Sequence, residues 1–435
     1  MLGFAFISPH FITAKVYYME SLAFLTEDQA RRIQAEFGTP VFVYDERTLE
    51  RRAREVLAFP NAFGLTARFA MKALPNAAVV RLFHRLGLKI DASSGYEAER
   101  AIRAGVPAAD IQITAQELPK NLEELVRQGC QFNACSLRQL SEYGRLFPNT
   151  EVSVRVNPGL GSGHSNRTNV GGPSASFGIW HEHLDEAYAA AANHGLRITG
   201  MHTHIGSGSD PEMWVRCAEL SLGIVARMPE VTRLSLGGGY KVARMSTEKQ
   251  TDLRDIGGRM AAQFEAFARE HGRKLHLEVE PGTYLVANAG ALVCTIIDVV
   301  DTGASGNTFI KVDAGMTENT RPSLYGAQHP IVVVPKAAGE TRGEGDYLVV
   351  GHCCESGDIF TPEPDNPEGL RPRRLTRPEP GDALVMEACG AYCAAMSAKN
   401  YNSFPECAEV LLCADGTPKL IRRRQTLDQV LQNEM

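Results

Sequence analysis

Apolar and polar positions alternate along this chain in two regimes. Between residues 67 and 281, short strand-like runs recur at 67–73, 88–93, 111–115, 131–135, 151–157, 197–206, 232–237 and 275–281. Between them lie segments with apolar residues at helical spacing, such as 76–86, 95–104, 122–128 and 184–193. Several end at a glycine suited to a left-handed cap: Gly87, Gly105, Gly129, Gly195. Strand, helix, strand repeated in this way means parallel pairing through crossover helices. Eight strands fit a (β/α)8, TIM-like barrel better than an open sheet. A doubly wound sheet is the alternative, because periodicity alone does not show closure.

Ahead of the barrel region, Thr26-Glu-Asp-Gln29 has the form of a capping box, opening a helix that Gly38 can close. Val41–Asp45 then reads as a strand. Beyond about residue 290 the helical alternation stops. Runs at 292–298, 308–313, 331–334, 347–351, 383–386 and 408–412 read as strands between Gly/Pro/Asp-rich turns. The predicted fold class is α/β, a barrel followed by a β-rich, sandwich- or barrel-like C-terminal domain. The expected division is 1–45, an N-terminal segment contributing a strand to the β domain; 46–290, the barrel; and 291–435, the β domain. Residues 1–18 read as a disordered extension or an early start.

Composition narrows the function classes. The 435 residues are 44% hydrophobic and 22% charged, with net charge −6 and one basic run, Arg422-Arg423-Arg424. That triplet reads as a solvated face or an ion-pair cluster, and nucleic acid is not an expected partner. Ten cysteines without a C-x-x-C pair argue for a reducing, cytoplasmic setting and against a structural zinc. No run reaches the roughly 18–20 apolar residues of a membrane span. The first 18 residues lack the basic flank of a signal peptide.

Candidate chemistry collects at the ends of the predicted strands, where barrels of this kind gather functional groups. Lys72 ends the first and Asp91 the second. Arg155 ends the fifth, His202 and His204 the sixth; Gly237, Gly238 and Gly239 follow the seventh, and Glu280-Pro-Gly282 the eighth. Taken singly these have ordinary readings: a snorkelling lysine, a tight turn, a solvated carboxylate, a core histidine. Burial of the Lys72 ammonium would lower its pKa and suit an amine that condenses with a carbonyl. Three glycines let backbone N–H groups approach a phosphate. Together with a carboxylate and a histidine, they are the parts that hold pyridoxal 5'-phosphate. No cluster supports a metal.

With those residues in hand the chain resembles the diaminopimelate decarboxylases, pyridoxal-phosphate enzymes built from an alanine-racemase-like barrel and a β domain. The resemblance runs from about Phe37 to the C-terminus. It rests on the Lys72 segment, Met201-His-Thr-His-Ile-Gly-Ser-Gly208, Gly237-Gly-Gly239, Glu280-Pro-Gly282, Asp313-Ala-Gly-Met316, Arg321-Pro-Ser-Leu-Tyr325-Gly, Cys354-Glu-Ser-Gly-Asp358, Gly390-Ala-Tyr392 and Asn400-Tyr-Asn402. The 157–172 run and the ending Leu420–Thr426 resemble the proteobacterial branch. The resemblance implies Lys72 as the Schiff-base lysine, Glu280 on the pyridine nitrogen and His204 against the ring. Ser207, Gly237 to Gly239, Gly282 and Tyr392 would meet the phosphate, and Asp91 and Arg155 would line the pocket. Arg321, Tyr325, Glu355 and Tyr392 would bind substrate. Cys354 would return a proton after CO2 leaves, reaching with Glu355 across a homodimer.

The implied activity converts meso-2,6-diaminopimelate to L-lysine, the last step of lysine biosynthesis. Two positions, expected in one neighbourhood, depart from the family pattern: Thr283 and Phe404 stand where arginines are usual, which leaves open a relative acting on another amino acid or an inactive cofactor-binding relative. Arg167, in the 159–172 loop, is a candidate replacement cation.

Overall fold

Alternate residues of one early strand serve two different cores. The computed structural model describes residues 20–163, 166–208 and 210–435. The 1–18 extension and the His164-Ser165 part of the loop motif lie outside them. Strand β1, Val41–Asp45, is buried throughout. Phe42 and Tyr44 join the large apolar cluster that runs through the barrel. Val41 and Val43 face a second cluster with Ile33, Val293, Val385 and Val410. That division follows from the two-residue period of a strand.

Eight strands then form the barrel: β2 (Leu65–Ala70), β3 (Lys89–Ala92), β4 (Ile111–Ile113), β5 (Gln131–Ala134), β6 (Glu151–Asn157), β8 (Arg197–His202), β9 (Arg233–Ser235) and β10 (His276–Val279). Each pairs in parallel with its neighbours. The β2–β10 and β5–β6 pairings close the ring, so the open-sheet alternative is set aside. A two-residue strand, β7 (Ile179–Trp180), adds to β6. Inward positions of these strands are partly polar. Arg68, 1% exposed, donates to Gln131 at 2.9 Å and lies 3.5 Å from Glu278. Apolar closure around such groups removes competing water and strengthens each contact.

The second layer is a mixed sheet of β11 (Gly290–Asp301), β12 (Thr308–Val312), β13 (Ile331–Val334), β14 (Glu344–Val350), β17 (Arg373–Thr376), β18 (Ala383–Met386), β19 (Ala408–Leu412) and β20 (Pro418–Arg422), with β1 among them; β15 (Pro362–Glu363) and β16 (Asn366–Leu370) make a separate hairpin. β1 lies between β11, antiparallel, and β19, parallel. The predicted helix after Thr26 spans Glu27–Phe37, with the capping box formed and Gly38 at its end. Of the basic triplet, Arg422 pairs with Glu406 and Glu409, and Arg424 donates to the Pro40 carbonyl.

Candidate active site

The segment carrying Lys72 is held from both sides. Strand β2 ends at Ala70, and Met71–Ala73 forms a single 3-10 turn, so the strand expected over 67–73 stops short of the lysine. The Ala70 N–H donates to the Pro281 carbonyl at 3.2 Å, and Tyr392 N–H donates to the Ala73 carbonyl at 2.9 Å. Gly282 packs on Ala70 and Ala73. Lys72 is exposed rather than buried. It projects into a cavity of about 260 Å³ and borders a smaller recess behind it. The desolvated ammonium expected from sequence is therefore not found: the turn lifts the side chain clear of the apolar strand.

The recess is lined by Asp91, His204, Ser207, Gly238, Gly239, Glu280, Gly282, Thr283 and Tyr392, together with Lys72. Glu280, buried, accepts from His202 Nε2 at 2.8 Å, Ser235 Oγ at 2.9 Å and Gln112 Nε2 at 3.1 Å. Burial pushes against its charge, but His202, Ser235 and the more distant Arg68 outweigh it and bring its pKa down to about 2. Asp91 goes the other way: burial and the Glu280 charge push it up to about 8, against Lys72 and Thr114. At neutral pH one carboxyl is ionised and the other protonated. Burial and the charges of Lys72 and Arg155 hold His204 well below the usual histidine range, hence neutral, and its Nδ1 has no partner among the described residues.

The glycine run is fixed by its neighbours. Gly237 (φ 64°) and Gly239 (φ 100°) sit in conformations that favour glycine. A Cβ on Gly237 would lie 2.8 Å from the His204 side chain, and one on Gly238 would run into the Glu280 carbonyl. Buried Trp214 donates to the Gly238 carbonyl at 3.1 Å.

The wider cavity lies between the carboxyl ends of the barrel strands and the β-rich region. Arg155, over the Phe177 ring at 5.0 Å, and His204 line the barrel side; Arg321, Tyr325 and Tyr392 line the other. Arg167 lines it too, donating to the Leu324 carbonyl at 2.8 Å. Cys354 and Glu355 are exposed and do not line this chain's cavity; Cys354 N–H donates to Asn402 at 3.0 Å. Thr283 and Phe404 were expected in one neighbourhood. Thr283 lines the cavity, but Phe404 stacks on His352 at 3.6 Å and lies outside the lining.

Sequence reasoning singled out His202 but not its bond to Glu280, and missed Ser235, Gln112 and the cations Lys241 and Arg244, both in the cavity wall. Gln112 carried a faint signal, as a polar residue between the two isoleucines of its strand.

Residues 47–287 match the model of the pyridoxal-dependent decarboxylases, pyridoxal binding domain. A diaminopimelate decarboxylase of Escherichia coli K12 is 36% identical, with 94% of this chain and 97% of that protein covered. The chain belongs to the diaminopimelate decarboxylase family. The Streptomyces coelicolor member is also 36% identical, over 92% of this chain and 90% of its own. A crystal structure of diaminopimelate decarboxylase superposes with a TM-score of 0.87 at 35% identity, covering 98% of this chain and 99% of that one. The Helicobacter pylori enzyme complexed with L-lysine, at 24% identity and a TM-score of 0.80 (93% and 98% covered), shares the fold. The family's cofactor fits the residues present. An exposed lysine, a glycine loop in which Gly238 admits no Cβ, an ionised buried carboxylate and a neutral imidazole whose Nδ1 is unpartnered among the described residues all meet at one recess.

Proposed function

We propose that this chain decarboxylates meso-2,6-diaminopimelate to L-lysine and CO2. The observation that carries the proposal is the cavity's two-ended character. Lys72, Glu280 and the glycine loop stand at the inner end, and Arg321 and Tyr325 stand in the wider part. A substrate with an amino-acid head at each end matches that layout.

When bound, pyridoxal phosphate supplies an electron-withdrawing ring that accepts the pair left as the Cα–carboxylate bond breaks. Lys72 would hold it by its amine. Gly237 to Gly239, Ser207, Gly282 and Tyr392 would bind the phosphate. Glu280, kept ionised by His202 and Ser235, would hold a proton on the ring nitrogen. Neutral His204 borders the recess without adding charge; Asp91 completes the recess wall and Arg155 lines the wider cavity. Arg321 offers a planar fork for the distal carboxylate, and Tyr325 a hydroxyl.

Cys354 and Glu355 belong, in this reading, to the partner subunit's site in a homodimer: Cys354 returns the proton to Cα and Glu355 accepts from the distal ammonium. Their exposure and distance from this chain's lining support that arrangement. Ten free cysteines support a cytoplasmic setting. Among the described residues, no helix is long and apolar enough to cross a membrane.

Purified holoenzyme supplied with meso-diaminopimelate should release CO2 and lysine in equal amounts; bound cofactor without turnover would sink the proposal. Thr283, a hydroxyl without charge in the cavity wall, favours a second reading, a related decarboxylase of another amino acid. Faster CO2 release from D-lysine than from diaminopimelate would select it.

A further inference from the structure

Two arginines stand in the wider cavity without a paired carboxylate among the described residues. Neither the Arg321 nor the Arg244 side chain makes a hydrogen bond or ion pair among the described residues, and the Nε of each is buried with no partner. Burial and the Arg321 charge lower Arg244 to about 10. A guanidinium with a buried, unbonded N–H is costly, and two such groups side by side are more so. Such a pair persists where an anion is the intended third member. The nearby acid, Glu248, does not supply it, since its carboxylate accepts the backbone N–H groups of Arg244 and Met245 at 2.7 and 3.3 Å.

The position of Arg244 selects the anion. It lines the wider cavity with Arg321 and Tyr325, and is absent from the recess walled by Ser207, the glycines and Glu280. Ser207 and Tyr392 border both spaces, but Gly238, Gly239 and Glu280 line only the recess and the two arginines only the wider cavity. Thr283 borders both spaces and brings no charge.

We propose that Arg244 is a specificity-determining residue, which with Arg321 clamps the carboxylate on the substrate's non-reacting centre. This rests on the function proposed above. Two planar forks converging on one carboxylate would satisfy the orphaned N–H groups and cancel the mutual repulsion. They would also reject diamines and monoamino acids that leave both cations bare.

The test compares two ligands that differ by that carboxylate. L-lysine keeps it; 1,5-diaminopentane lacks it. In Arg244→Gln holoenzyme the KM for meso-diaminopimelate and the inhibition constant of L-lysine should both rise about 10- to 100-fold, the worth of a charge-assisted bond. Inhibition by 1,5-diaminopentane should hold or tighten. Arg244→Lys, which keeps charge without the fork, should fall between, and carries the test if the glutamine variant does not fold. Equal changes for L-lysine and the diamine, or weakened cofactor binding with an unchanged ligand ratio, would overturn the assignment. If wild-type enzyme releases no CO2 from diaminopimelate, the functional reading fails; the two-ligand comparison then still decides Arg244.

Discussion

At the scale of single residues, the site depends on sorting charges with few groups. Glu280 is ionised because donors from three different strands point at it; Asp91 is protonated because it is buried and the Glu280 charge stands nearby. The two shifts have opposite consequences for stability. Glu280, depressed to about 2, contributes stability present above the ordinary carboxylate range and lost as pH falls through that value. Asp91, raised to about 8, favours the folded state below the ordinary range and withdraws that contribution as pH rises through about 8. Cofactor-free Asp91→Asn should therefore gain stability over wild type as pH rises from about 5 to about 9, read by urea unfolding at each pH. A parallel pair of curves would contradict the raised value. Lys72, exposed on its turn, contributes little packing. Lys72→Ala should unfold at a temperature within a few degrees of wild type, yet lose the visible absorption of lysine-bound pyridoxal and all turnover. Retention of either signal would reject its role.

At the scale of elements, the loops carrying these residues lock one another. The Lys72 turn is bonded to the Pro281 and Tyr392 segments, and Gly238 sits against the Glu280 carbonyl with its own carbonyl fixed by Trp214. A methyl group at Gly238 meets backbone, which cannot swing away as a flexible side chain could. Gly238→Ala should cost about 1–3 kcal/mol of stability, the usual penalty of overpacking, and weaken cofactor binding at least tenfold. Calorimetry and cofactor titration measure the two. A variant with native melting and affinity would mean the loop has room that the geometry denies. The same tight register explains the shortened β2: its chain must leave the barrel at Ala70 to make the turn that frees the lysine.

At the scale of the molecule, one chain brings the barrel rim and the β-rich region to opposite sides of a cavity, while Cys354 and Glu355 face outward from it. The shared dimer site proposed above gives a quantitative expectation. Lys72→Ala and Glu355→Ala homodimers should each be nearly inactive. Mixed and re-equilibrated in equal amounts, they should recover about a quarter of wild-type activity, since half the dimers carry one intact site of two. No recovery despite verified subunit exchange would place both residues in one chain's site.

What the sequence determined by itself was whatever chemistry is written locally. The eight strands were legible from period and spacing, because burial dictates alternation. The rim positions of Lys72, His204, the 237–239 glycines and Glu280 were legible because each stands at a strand's end in a short, distinctive string. Tertiary structure alone decided what depends on distant groups meeting. His202, Ser235 and Gln112 converge on Glu280 only once the barrel closes. Arg244 lies in an irregular stretch with no periodicity to read, and only the folded chain sets its bare guanidinium beside Arg321. Phe404 shows the converse: the sequence put it near Thr283, and packing turned its ring onto His352. Ring closure and the meeting of two layers are long-range events, and residue order records them only weakly.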